Sequence, residues 1–100
     1  MERTYRFKAL VWIFPGNAPW HMVTLPKKTA KDIDYYFAHV KRGWGSLPVL
    51  VTLGNTSWKT SIFTDKKSDS YILPLKLEVR KKEAIKVGDN VSFSLIINAW

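Results

Sequence analysis

The sequence predicts a mainly β fold with two short helices, a small barrel made of two similar hairpin-plus-helix halves. Three observations carry that prediction. Tyr5 to Phe14 alternates with the period of two expected of a strand, and β-branched or extended runs recur along the rest of the chain. Ile33, Tyr36, Phe37 and Val40 repeat at helical spacing. Val23-Thr24-Leu25-Pro26-Lys27-Lys28 is echoed 48 positions on by Tyr71-Ile72-Leu73-Pro74-Leu75-Lys76, each time after a hairpin and before a helix. Such an echo suits two halves packed about a pseudo-twofold axis.

Taken in order, Tyr5, Phe7, Ala9, Val11 and Ile13 alternate with Arg6, Lys8, Leu10, Trp12 and Phe14, so the second face of this strand starts polar and ends apolar. Pro15-Gly16-Asn17-Ala18-Pro19 supplies turn residues, and Trp20 to Leu25 resumes an extended pattern that Pro26 ends. Thr29 is a good helix N-cap, with Asp32 three residues on to complement the free amides of the first turn. The helix is expected to stop near Arg42, where Gly43-Trp44-Gly45 breaks the pattern and Lys41 and Arg42 suit the negative end of the helix dipole.

Pro48 to Leu53 then reads as a strand, Gly54 to Ser57 as a turn and Trp58 to Thr64 as the return strand. Asp65 to Asp69 is a polar tip. Tyr71, Ile72 and Leu73 form a short strand before Pro74, whose fixed φ is tolerated at a strand end or at a helix start. A helix from about Leu75 to Glu83 is expected to turn Leu75 and Val79 inward. The Val87 to Asn90 turn needs a positive φ at Gly88, and Val91, Phe93, Leu95 and Ile97 share one face of the last strand. The apolar end Ile96-Ile97-Asn98-Ala99-Trp100 is expected on a sheet edge, open to dimerisation.

At 100 residues and 46% hydrophobic content, the chain can form one ordinary core, so residues 1–100 are expected to be a single domain. The absence of cysteine excludes disulfides and thiolate metal sites and fits a reducing cytoplasm. Met1 to Arg6 carries no apolar signal-peptide core, and no eighteen apolar residues run in succession. A soluble, cytoplasmic protein without a membrane partner, a monomer or weak dimer, is the expectation. The formal charge of +8 and pI near 9.9 would attract polyanions at low salt, so weak nucleic-acid binding through a basic surface is also expected.

Two family resemblances attach to these residues. Leu73-Pro74-Leu75-Lys76, Val79-Arg80 and Val87-Gly88-Asp89-Asn90-Val91 resemble the signature of swapped-hairpin transition regulators of the AbrB type. A broader likeness covers nearly the whole chain: Phe7-x-Ala9, Trp12, Trp20-x-x-Val23-x-Leu25-Pro26, Trp44-Gly45, Val51-x-Leu53-Gly54, Trp58 to Phe63, Leu73-Pro74-x-Lys76, Val79-Arg80 and Gly88-Asp89. It resembles the nineteen-oh-five domain of unknown function, found among YdeI/OmpD-associated proteins. That resemblance implies a double-split β-barrel formed by one chain, and no established activity. Thr64 departs from the proline that members often have there, and the sequence stops at Trp100 without the second domain of longer relatives.

The chemistry the sequence offers is sparse. His21 and His39 have no carboxylate or cysteine at metal-ligand spacing, so no metal, cofactor or catalytic residue is expected. His39 reads as a solvent-facing helix residue and His21 as a partly covered strand residue. Asp32, Asp34, Asp65 and Asp69 read as caps and turn residues, and Glu78, Glu83 and Asp89 as partners for nearby lysines and Arg80. Arg80 shares a helix face with Lys76 and is expected to reach the Gly88-Asp89 turn. Ser61 beside Lys59-Thr60 lacks the elbow that would make it a nucleophile.

Five tryptophans include several close to basic residues, a combination suited to stacking on rings. Trp12 and Trp58 are expected to fill the barrel and Trp44, between two glycines, to be exposed. The candidate ligand-binding residues are Trp44, Trp58, Lys59, Ser61, Lys76 and Arg80. A non-catalytic binding or interaction domain for a small or peptide-like ligand is the favoured function; a nucleic-acid-binding protein is the alternative, and a small-molecule enzyme a third.

Overall fold

The computed structural model describes residues 3–16 and 19–97. The elements in chain order are β1 (Thr4–Phe14), β2 (Trp20–Thr24), α1 (Lys27–Phe37), β3 (Ser46–Leu53), β4 (Thr56–Asp65), β5 (Ser70–Pro74), α2 (Leu77–Lys82) and β6 (Asn90–Ile97). The strands close into an antiparallel barrel in the order β1-β2-β5-β4-β3-β6, with β6 pairing back onto β1. The fold is thus mainly β, with two short helices.

Side-chain alternation decides what fills this barrel. Phe7, Ala9 and Val11 of β1, Val49, Val51 and Leu53 of β3, and Phe93, Leu95 and Ile97 of β6 are all buried, each set on one face of its strand. Closure removes the open edge expected of the last strand, because β6 is flanked by β1 and β3 as far as Ile97. The rest of that apolar end, residues 98–100, lies outside the described residues.

β2 and β5 are antiparallel neighbours, and each is followed by a helix, so α1 and α2 sit at opposite ends of the barrel. α1 buries Ala30, Ile33 and Phe37, with Tyr36 and Val40 half-buried against the core. It starts at Lys27, earlier than its expected Thr29 cap: Pro26 is the N-cap with φ near −57°, and no side chain caps the first turn. Asp32, expected to complement that turn, instead accepts from Tyr5 and Arg3. The α-helix stops at Phe37 and tightens into a 3-10 turn over Ala38–Val40, short of Arg42.

α2 is likewise shorter than the sequence suggests. Pro74 completes β5 opposite Met22, and the Leu75 N–H donates to the His21 carbonyl at 2.9 Å, which holds residue 75 to the sheet. Leu75 and Val79 are buried, as expected. Beyond α2, the Gly88 N–H donates to the Val11 carbonyl and the Val11 N–H to the Asp89 carbonyl, at 2.8 and 2.9 Å. Gly88 makes this turn with φ at +91°, a conformation that glycine adopts without a Cβ clash. Among the described residues, no helix is long and apolar enough to cross a membrane.

Candidate functional site

The end of the barrel that carries α2 holds a cleft of about 360 Å³ between the helix, the start of β2 and the first half of β4. β4 supplies Trp58, Lys59 and Thr60; β2 supplies Trp20 and His21; the segment leading into α2 supplies Lys76, and the helix supplies Arg80. Trp58 is buried at 8% exposure and Lys59 is exposed on the opposite side of the strand. The cleft therefore wraps over β4 instead of lying on one face of it. Lys76 and Arg80 are four residues apart and come to the same side of the helix.

Arg80 is fixed from two directions. Its Nε–H donates to the Leu75 carbonyl at 3.0 Å, and Nη1 lies 3.4 Å from His21 Nε2. A guanidinium can only donate, so Nε2 is the acceptor and the neutral ring carries its proton on Nδ1. Nδ1 is buried and has no hydrogen-bond partner among the described residues. Burial first, and the charge of Arg80 second, hold the His21 pKa below its ordinary value of 6.5, so the ring is neutral at pH 7.

The electrostatics of the cleft are one-sided. Lys59, Lys76 and Arg80 line it and no carboxylate does. Among the described residues the ion pairs are Arg3–Asp32 and Lys41–Asp34, so none of the three cleft cations is neutralised by a salt bridge. The chemistry available is anion binding by two ammonium groups and a positioned guanidinium, beside Trp20 and Trp58.

Of the residues singled out from the sequence, Trp58, Lys59, Lys76 and Arg80 are brought together here. Trp44 is not. It is 93% exposed, as expected, but sits in the 3-10 turn Gly43–Gly45 beside Thr64, at the α1 end of the barrel. Ser61 is also outside the cleft: it pairs with Pro48 on the outward side of β4, one strand repeat further from α2 than Lys59. Arg80 reaches Leu75 and His21 and makes no bond to the Gly88-Asp89 turn. Lysine pairing of Glu78, Glu83 and Asp89 is not seen either; Glu83 accepts from Thr56 at 2.7 Å and Asp89 from the Lys86 amide at 2.8 Å.

Asp34 bonds Tyr71 and pairs with Lys41, so it is no cap, whereas Asp65 does accept from Ser68 in its turn. Trp12, expected to fill the barrel, is half-buried and donates to Thr24 Oγ1 at 2.9 Å. His21, Trp20 and Thr60 were missed as site residues. The signal for His21 was present, since alternation puts it on the face shared by Val23 and Leu25, at the mouth of the barrel.

Residues 7–95 match the family described as Domain of unknown function (DUF1905). The chain belongs to the DUF1905 family. The matched span runs from β1 to β6 and contains every residue lining the cleft, so the cleft lies wholly within the DUF1905 domain. A comparison with curated proteins finds no match. The family description assigns no activity, and among the described residues no cluster of three His, Cys, Asp or Glu side chains could hold a metal.

Proposed function

We propose that the protein is a non-catalytic binding domain whose cleft at the α2 end holds the anionic group of a small ligand. The observation that carries this reading is the set of three cations, Lys59, Lys76 and Arg80, around one cleft with no carboxylate in its lining. His21 supports binding over catalysis: its Nε2 faces Arg80, and among the described residues no carboxylate orients its other nitrogen for proton transfer. The finer architecture we infer is the double-split barrel of two hairpin-plus-helix halves. Pairing of Thr24 with Ile72, residues that the internal echo makes equivalent, supports it.

Titration with inorganic phosphate at low ionic strength, followed by amide NMR, tests the binding reading. Shifts confined to residues around His21, Lys59, Thr60 and Arg80 are expected, with about tenfold weaker binding in Arg80→Ala. Shifts spread evenly over every lysine-bearing surface would sink the proposal.

A second reading, nucleic-acid binding, is favoured by a different surface. Across β1, β6, β3 and β4 the register aligns Arg6, Ser94, Thr52 and Ser57 in one row, with Lys8 opposite Ser92 in the next. This outward wall offers cations and hydroxyls suited to phosphate contacts, without exposed aromatic rings for base stacking. The AbrB-type likeness points the same way. Fluorescence anisotropy with duplex and single-stranded DNA at about 50 and about 200 mM salt distinguishes the cases. Binding that persists at the higher salt and is lost in Arg6→Ala supports this reading; no binding at either salt removes it.

A further inference from the structure

The wall beside the cleft is apolar in a way that a soluble barrel does not require. Phe14, Trp20, Met22, Phe63 and Pro74 surround a shallow depression of about 330 Å³ with no charged residue in its lining. The register explains the cluster: Phe14 pairs with Trp20 and Met22 with Pro74, while Phe63 pairs with Ile72. These are outward positions. Trp20 is 59% exposed and Phe14 48%.

Trp20 and Pro74 line both this depression and the cationic cleft, so the two adjoin. One molecule that spans them needs an anionic group at Lys59, Lys76 and Arg80 and an apolar chain running past Trp20 and Pro74 towards Met22 and Phe63. A second copy of the chain fits less well, because covering the patch with itself would bring two cationic clefts of a +8 protein together.

We propose that the ligand is a single-chain anionic amphiphile, an alkyl or acyl phosphate or carboxylate. Its head is held in the cleft and its chain lies along the outer wall of β1, β2, β5 and β4. This rests on the anion-binding reading of the cleft and adds the apolar half of the ligand. Each methylene buried on that wall tightens binding, by up to about fourfold when fully covered.

The test is a calorimetric titration of the whole chain with inorganic phosphate, butyl phosphate and octyl phosphate, the last kept monomeric, with octyl glucoside as the neutral control. Affinity is expected to rise along the three phosphates, by at least about 100-fold from the first to the last. Phe14→Ser and Met22→Ser, both outside the cleft lining, are expected to remove most of the octyl gain and leave phosphate binding unchanged. Equal affinity for all three phosphates would overturn the amphiphile while leaving the anion site standing. Failure of every phosphate to bind would overturn both. Equal binding of octyl glucoside and octyl phosphate, or binding only to vesicles of anionic lipid, would also overturn the proposal.

Discussion

The two ends of the barrel are built alike and finished differently. At the α1 end, every carboxylate of the helix is used: Asp32 takes Tyr5 and Arg3, while Asp34 takes Tyr71 at 2.5 Å and Lys41 at 3.0 Å. The Arg3 guanidinium also lies 3.9 Å from the centre of the Tyr36 ring. At the α2 end, Lys76 and Arg80 stand beside Lys59 with no carboxylate lining the space between them. A closed charge network contributes to the fold, whereas clustered cations with no carboxylate between them repel one another and favour an anion. The contrast is what supports the proposal of a binding site at the α2 end.

Four outcomes would break or sharpen that contrast. The largest effect is expected from Trp58→Ala, which removes the buried wall of the cleft and should lower stability by about 3–5 kcal/mol in urea unfolding. A loss below about 1 kcal/mol would mean that the open end is a loose rim. Gly88→Val should follow, at about 1–3 kcal/mol, because the turn that returns the chain from α2 to β6 requires φ near +91° at that residue. An unchanged melting temperature would refute that requirement.

Third, Tyr71→Phe at the closed end should cost about 1 kcal/mol, through the lost bond to Asp34. Arg80→Ala at the open end should stay within about 0.5 kcal/mol of the parent. Thermal melts that reverse this order would show Arg80 to be a structural residue.

The smallest effects are pH-dependent and lie on opposite sides of neutrality. Burial first, then the Asp34 hydrogen bond, raise the Tyr71 pKa to about 12. Between pH 10 and that value the unfolded chain releases a proton that the folded one keeps, so stability falls as pH rises through this window. His21 behaves in the reverse sense. Its pKa is lowered by burial and by Arg80, so below pH 6.5 the unfolded chain takes up a proton that the folded one resists, and stability falls as pH drops. In denaturation profiles Tyr71→Phe should flatten the alkaline slope, to which the raised Tyr5 and Lys41 pKa values also contribute, and His21→Gln should flatten the acid one, each leaving the other unchanged.

Much of the fold was legible because side-chain period is a local property. Phe7, Ala9 and Val11, and Phe93, Leu95 and Ile97, could be assigned to the core from alternation alone, and Ile33 and Phe37 from helical spacing. Local capping chemistry misled at Thr29, where the fixed φ of Pro26 starts the helix earlier than a threonine cap would. Gly43 and Gly45 announced that Trp44 would be exposed. They could not announce that it would stand at the far end from Trp58.

The sequence by itself determined the strands and their inward faces, the two helices, the positive-φ turn at Gly88 and the basic character of the surface. Those depend on neighbours within a few positions. Only the tertiary structure decided which residues meet, because barrel closure sets distances that no spacing along the chain encodes. It places Ser61 outside the cleft although Lys59, two residues away on the same side of β4, lines it. It also brings Arg80 to within 3.4 Å of His21, which lies 59 positions earlier in the chain and across the barrel mouth.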